Sequence, residues 1–174
     1  MKKELGFTLI ELMIVLVMIA VFAAIAVPSY QSYIQKKDLA VAKQEALKVA
    51  SELERFKAKN FSYKGFDATY LYPSYKKATG VLFLPLGQTE SDAKYRLTVV
   101  DLAQKKSLSD ASTAVLGLNW AIKVERVAES GGSTLKQPKN YDLLLTSTGI
   151  RCMTRTPDAV KNYEGCGESS YESW

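Results

Sequence analysis

Few residues in this chain have types and spacing suited to chemistry. Glu11 is a carboxylate inside an apolar run, residues 7–27, in which Thr8 is the other polar side chain. Cys152 and Cys166 are the two cysteines, and three pairs of cations stand out: Lys76 with Lys77, Lys105 with Lys106, and Arg151 with Arg155. Such pairs, repeated along an assembly, could hold phosphates through salt-sensitive contacts, but lysines spread over a solvated face for solubility are the favoured reading. Histidine is absent from all 174 residues, which excludes a His-dependent Ser or Cys triad and every His-ligated metal. Neither a GxGxxG nor a P-loop spacing occurs. Glu52, Asp101, Asp110 and Glu125 fall at positions expected to be solvated, so none of them suggests a carboxylate pair for acid/base work. No enzyme activity, catalytic residue, cofactor or metal is expected.

The elements that must position Glu11 come first. At 1.5 Å per helical residue the run from Phe7 to Val27 spans ~30 Å, enough to cross a bilayer. Lys2 and Lys3 precede it, so that end should stay cytoplasmic and the rest of the chain should face the other side. A cleavable secretory signal ending at "AIA", Ala24 to Ala26, is one alternative, but signal cores are shorter than this run. A simple single-pass anchor is another, and it leaves Glu11 without a purpose. A charged side chain at the bilayer centre costs about 2.5–3.5 kcal/mol and calls for a partner. Cleavage after Gly6 would create one, because the new α-amine of Phe7 could pair with Glu11 of a neighbouring copy. An unpaired copy would be penalised by desolvation.

"GFTLIEL" followed by an apolar helix and "AAIAVPSYQSYI" resembles the amino-terminal segment of type IV pilins, over about 30 residues from Gly6 to Gln35. The resemblance implies a leader of residues 1–6 cut by prepilin peptidase between Gly6 and Phe7, methylation of the Phe7 amine by the same enzyme, and docking of subunits through Glu11. It implies as partners that peptidase, other pilin subunits in a homo- or hetero-oligomeric filament, and the inner-membrane assembly machinery.

Pro28 removes a helical hydrogen bond and should kink the helix without ending it, since periodicity resumes at Leu39, Ala42, Ala46, Val49, Ala50, Leu53 and Phe56. Residues 28–58 are therefore expected to continue the helix as an amphipathic half, and residues 59–174 to form a globular head. After Phe56 the chain reads as a long connecting loop rich in Tyr, Gly, Pro and Lys, whose Tyr70, Tyr72 and Tyr75 either pack on the head or form a contact surface. Three alternating segments, 95–102, 119–127 and 141–148, predict strands. The last two should pair antiparallel across a Gly- and Pro-bearing loop. The expected fold class is α+β: a long amino-terminal helix, half transmembrane and half amphipathic, packed on a small antiparallel sheet of three or four strands in a pilin-like layout.

Cys152 and Cys166 lie in the part placed outside the cytoplasm, where a disulfide is expected; a free thiol pair or metal ligands are the alternatives, and a zinc site lacks the further ligands it needs. By resemblance, the enclosed "MTRTPDAVKNYEG" is the disulfide-bounded region that contributes to subunit contacts at a filament surface. The expected location is the inner membrane, head in the periplasm, before assembly, and a cell-surface pilus afterwards. The expected function is that of a pilus subunit, a minor pilin in pilus assembly, with twitching motility, adhesion and DNA uptake as the activities implied; nucleic acid is the weaker partner expectation. A major pilin and a type II secretion pseudopilin share the helix and the peptidase. A membrane-anchored periplasmic binding module, with its leader uncut, is the alternative of a different class.

Overall fold

The computed structural model describes residues 7–167 and 171–174, the side chain of Tyr171 aside. The leader expected at 1–6, with Gly6 at its cleavage point, lies outside the described residues. The chain divides into two units, Met1–Lys36 and Lys37–Trp174.

Helix α1, Leu9–Asn60, runs unbroken for 52 residues with Pro28 inside it. In the first unit every described side chain from Phe7 to Tyr33 is exposed. An 18-residue window there has a mean hydropathy of 2.9, so the segment is long and apolar enough to cross a membrane.

In the second unit the helix presents the expected stripe. Ala42, Ala46, Val49 and Leu53 are buried, and Leu39, Ala50 and Phe56 pack at its margin. The stripe lies on a six-stranded antiparallel sheet in simple sequential order: β1 Val81–Leu84, β2 Tyr95–Asp101, β3 Trp120–Arg126, β4 Asp142–Thr146, β5 Arg151–Thr154 and β6 Tyr171–Glu172. Strands β2, β3 and β4 are the three predicted segments, and β3 and β4 pair antiparallel. Their alternate residues Tyr95, Leu97, Val99, Trp120, Ile122, Val124 and Leu143 join the helix stripe in one core. The sheet is larger than the three or four strands expected. β1 lies within the segment read as loop, opened by Gly80 and closed by Pro85, and β5 and β6 extend the far edge.

The opposite face of the sheet is also covered. Val100, Ala121, Leu144 and Cys152 meet Val160, Tyr163 and Cys166 from the carboxyl-terminal loop in a second cluster. Arg126 and Asp142 join the end of β3 to the start of β4: Nε donates to Oδ1 at 2.9 Å, and the guanidinium also reaches the carbonyls of Pro138 and Arg155. With four hydrogen bonds from the guanidinium, this pair fixes geometry more than it adds stability.

Candidate functional site

The amino-terminal site is built by the start of α1. Thr8 caps the helix, its Oγ1 accepting the Glu11 amide at 3.3 Å, while Leu12 donates to the Thr8 carbonyl at 3.3 Å. Thr8 followed three residues later by Glu11 is the capping-box spacing, and the carboxylate falls in the first turn, where the helix dipole favours negative charge. The sequence reading missed this second reason for an acid at position 11. Phe7, whose side chain is exposed, immediately precedes the cap.

At the other end of the chain Cys152 and Cys166 form the expected disulfide, with Cα atoms 6.0 Å apart. It anchors the loop carrying Val160 and Tyr163 onto the sheet, and Lys123, nearly buried on that face, places its ammonium 4.8 Å from the Tyr163 ring centre. Trp174 donates its indole N–H to the Cys152 carbonyl at 3.0 Å.

Two of the three cation pairs are drawn together. The loop after α1 and the loop between β2 and β3 are laced by backbone bonds, Tyr63 to the Gly117 carbonyl at 2.9 Å and Gly65 to that of Leu108 at 2.7 Å. The Ser107 and Ser109 hydroxyls donate to the Lys77 carbonyl, at 2.8 and 2.6 Å. Lys64 donates to the Ser112 carbonyl at 3.1 Å. One end of the head thus collects exposed Lys64, Lys76, Lys77, Lys105 and Lys106. Carboxylates temper part of this field: Asp67 lies 3.0 Å from Lys77, and Glu164 lies 3.6 Å from Lys105. Burial pushes the Asp67 carboxyl up, yet the Thr69 amide and the Lys77 ammonium bring it below its ordinary value. The Ser112 amide, followed by its hydroxyl, holds Asp110 low as well. Among the described residues Lys64 and Lys106 form no salt bridge. The third pair stands apart, Arg151 against the Trp174 ring and Arg155 against Tyr141.

Asp101 corrects the expectation of a solvated carboxylate. It is 2 % exposed and accepts the amides of Ala103, Gln104 and Gly117 at 2.9 to 3.0 Å, so it organises the basic loop from inside. Glu52, Asp110 and Glu125 are half-buried. Of the three tyrosines, Tyr72 and Tyr75 are buried and pack on the head; Tyr70 is exposed, its hydroxyl bonded to Glu52 at 2.6 Å.

An apolar helix of membrane length, followed in the chain by a disulfide-bounded head on an antiparallel sheet, has the layout of a membrane-anchored, pilin-like subunit. The family model "Type IV minor pilin ComP, DNA uptake sequence receptor" matches residues 28–114, half of the chain, and "Prokaryotic N-terminal methylation motif" matches residues 1–27. The "Type IV major fimbrial protein FimA" of Dichelobacter nodosus is 30% identical over 119 residues, covering 67% of this chain and 72% of that protein. The chain belongs to the type IV pilin family. A "Fimbrial protein" of Pseudomonas aeruginosa is 52% identical over 54 residues, a match that takes in 30% of this chain and only 35% of that relative's length. "Type II secretion system core protein G" of the same species is 37% identical over 77 residues, 42% of this chain and 54% of that protein. No solved structure matches.

Proposed function

We propose that this pilin is a minor subunit of a type IV pilus whose head holds DNA during uptake. In this reading the leader is removed after Gly6, Phe7 is methylated, and the protein waits in the inner membrane with its head in the periplasm. The assembly machinery then transfers residues 7–27 from lipid into the filament core, with Pro28 giving the helix a point of bend and residues 28–58 carrying the head, 59–174, outward. Lipid is already apolar, so that transfer gains little hydrophobic energy; close packing at Ala20, Ala23, Ala24 and Ala26 and pairing of Glu11 with a neighbour's amine supply the specificity.

The observation that carries the DNA reading is the lacing of the two loops that gathers five lysines at one end of the head. Most of both loops falls within the segment that matches the DNA uptake receptor model. Fluorescence anisotropy of the full chain in non-ionic detergent with labelled duplex DNA tests it. Binding should weaken steeply with salt, and Lys64→Ala with Lys106→Ala should flatten the log K against log salt slope by about 1.8, since each phosphate contact contributes about 0.9. Binding that ignores both salt and these substitutions would refute a role for these lysines.

The likeness to core protein G favours a second reading, a pseudopilin of a secretion system. Deleting the protein would then block export of a secreted enzyme and leave DNA uptake untouched, the reverse of the expected result.

A further inference from the structure

Helix α1 ends at Asn60, and the next residue, Phe61, has a left-handed backbone with φ 60° while its amide donates to the Lys57 carbonyl at 2.7 Å. Helices usually close on Gly or Asn at such a position, because a β-carbon is crowded there. Here the residue is aromatic, and its side chain is 90 % exposed. A strained backbone that holds a large apolar ring in water breaks two local rules at once with no gain in packing, which is the mark of a functional position.

The ring does not stand alone. The single hydroxyl proton of Ser62 is shared between the carbonyls of Leu116 and Gly117, each 3.2 Å from Oγ, and the Tyr63 amide donates to the Gly117 carbonyl. These bonds set Leu116 and Leu118, 60 % and 64 % exposed, against the segment that bears Phe61. The result is an apolar point on a rigid support. Arg55, Lys57, Lys59 and Lys64 surround it in sequence, and no acidic residue occurs from Arg55 to Phe66. The same laced loops carry Lys76, Lys77, Lys105 and Lys106, so the cationic field extends well beyond the rim of the point. A polyanion with gaps between flat apolar faces fits that combination.

We infer that Phe61, flanked by Leu116 and Leu118, is a wedge that enters between base pairs of duplex DNA from the minor groove, while the loop lysines hold the adjacent phosphates. Apolar wedges of this kind unstack one base step and kink the helix. This inference rests on the DNA reading above and adds to it a source of sequence preference. Pyrimidine–purine steps such as TA unstack most easily, so sites would be chosen by deformability without contacts to base edges.

The test uses the full chain in non-ionic detergent and a duplex with 2-aminopurine at a central TA step. Wild type should bind and raise the 2-aminopurine fluorescence several-fold. Phe61→Ala and Phe61→Gly should fold, as judged by near-ultraviolet circular dichroism, and keep the salt slope; they should bind roughly tenfold more weakly and leave the fluorescence unchanged. Variants that unstack the step as wild type does would overturn the wedge, as would wild-type binding with no fluorescence rise; the DNA reading would survive both. Absence of binding by wild type would remove both. Variants that bind and unstack DNA normally yet fail to enter fibres would make the point a protein contact and overturn the wedge.

Discussion

Replacing Gly117 by Ala places a β-carbon 2.2 Å from the Lys64 amide nitrogen and 2.7 Å from its Cα. Ordinary contact begins near 3.4 Å, so the two loops must part by more than 1 Å, and the obstacle is backbone. Parting breaks the bond from Tyr63 to the Gly117 carbonyl and those from Ser62, and it strains the one from Gly117 to Asp101. A buried amide left without a partner costs about 1–3 kcal/mol, and a left-handed Ala, at φ 63°, costs about 1–2 kcal/mol more. The total is about 2–5 kcal/mol, or roughly 10 °C in Tm for a chain of this size. Gly65→Ala is the matched control: its φ is 85°, but nothing lies within 4 Å of the added carbon, so only the backbone cost of about 1–2 kcal/mol applies. Thermal melting of both variants, followed by tryptophan fluorescence, separates the two terms. Equal losses would show that the loops are not held together by close approach at Gly117. Gly117→Ala should also weaken DNA binding more than Gly65→Ala, because it separates Lys64 from the loop bearing Lys105 and Lys106.

Reducing the Cys152–Cys166 bond, which closes a separation of 14 residues, should cost about 3 kcal/mol in the chain-entropy picture and loosen Val160 and Tyr163; melting with and without dithiothreitol measures it. In alkali the protein should lose stability from about pH 10 upward. Burial, then the bond to Glu54, pushes Tyr63 up to about 12, and burial, then the Glu125 charge, does the same for Tyr163; the folded state keeps the protons that the unfolded chain releases near pH 10, so stability is whole below that pH and falls as pH climbs toward 12. The share of the 295 nm tyrosinate absorbance that comes from Tyr63 and Tyr163, read as the part lost on Tyr63→Phe with Tyr163→Phe, should accordingly rise in step with unfolding and not before it. Glu11→Val should be processed and methylated yet be missing from sheared fibres by immunoblot; normal incorporation would refute a docking role for the carboxylate.

Much of the architecture can be read from periodicity because burial imposes it directly. The stripe from Leu39 to Phe56 and the alternation in β2, β3 and β4 face a single core, so every second or every third and fourth residue had to be apolar. Strand β1 was hidden because four residues, Val81–Leu84, are buried at nearly every position and show no alternation. Strand β5 also lacks a clear alternation, and β6 is two residues long. The second core went unread for a related reason. Ala121 and Leu144 lie on the face of the strands opposite the helix, and only the position of the disulfide loop makes that face interior. Asp101 looked solvated because charge is the only thing a sequence shows; its three amide donors come from turns whose geometry no short pattern encodes. The cation pairs were visible, but their grouping was not, since it depends on contacts such as Ser107 to Lys77, 30 residues apart. Phe61 is inconspicuous within an aromatic-rich loop, and its one sequence signal is its place just after a helix whose last turn carries Lys57 and Lys59.

The intact mass of the protein from sheared fibres of its native host, before and after reduction, bears most directly on whether this pilin is processed and assembled. A species that begins at Phe7, one methyl heavier and two hydrogens lighter until reduced, is the predicted result. A species that keeps Met1, or one that begins at Val27, would contradict it and would leave Glu11 without a partner.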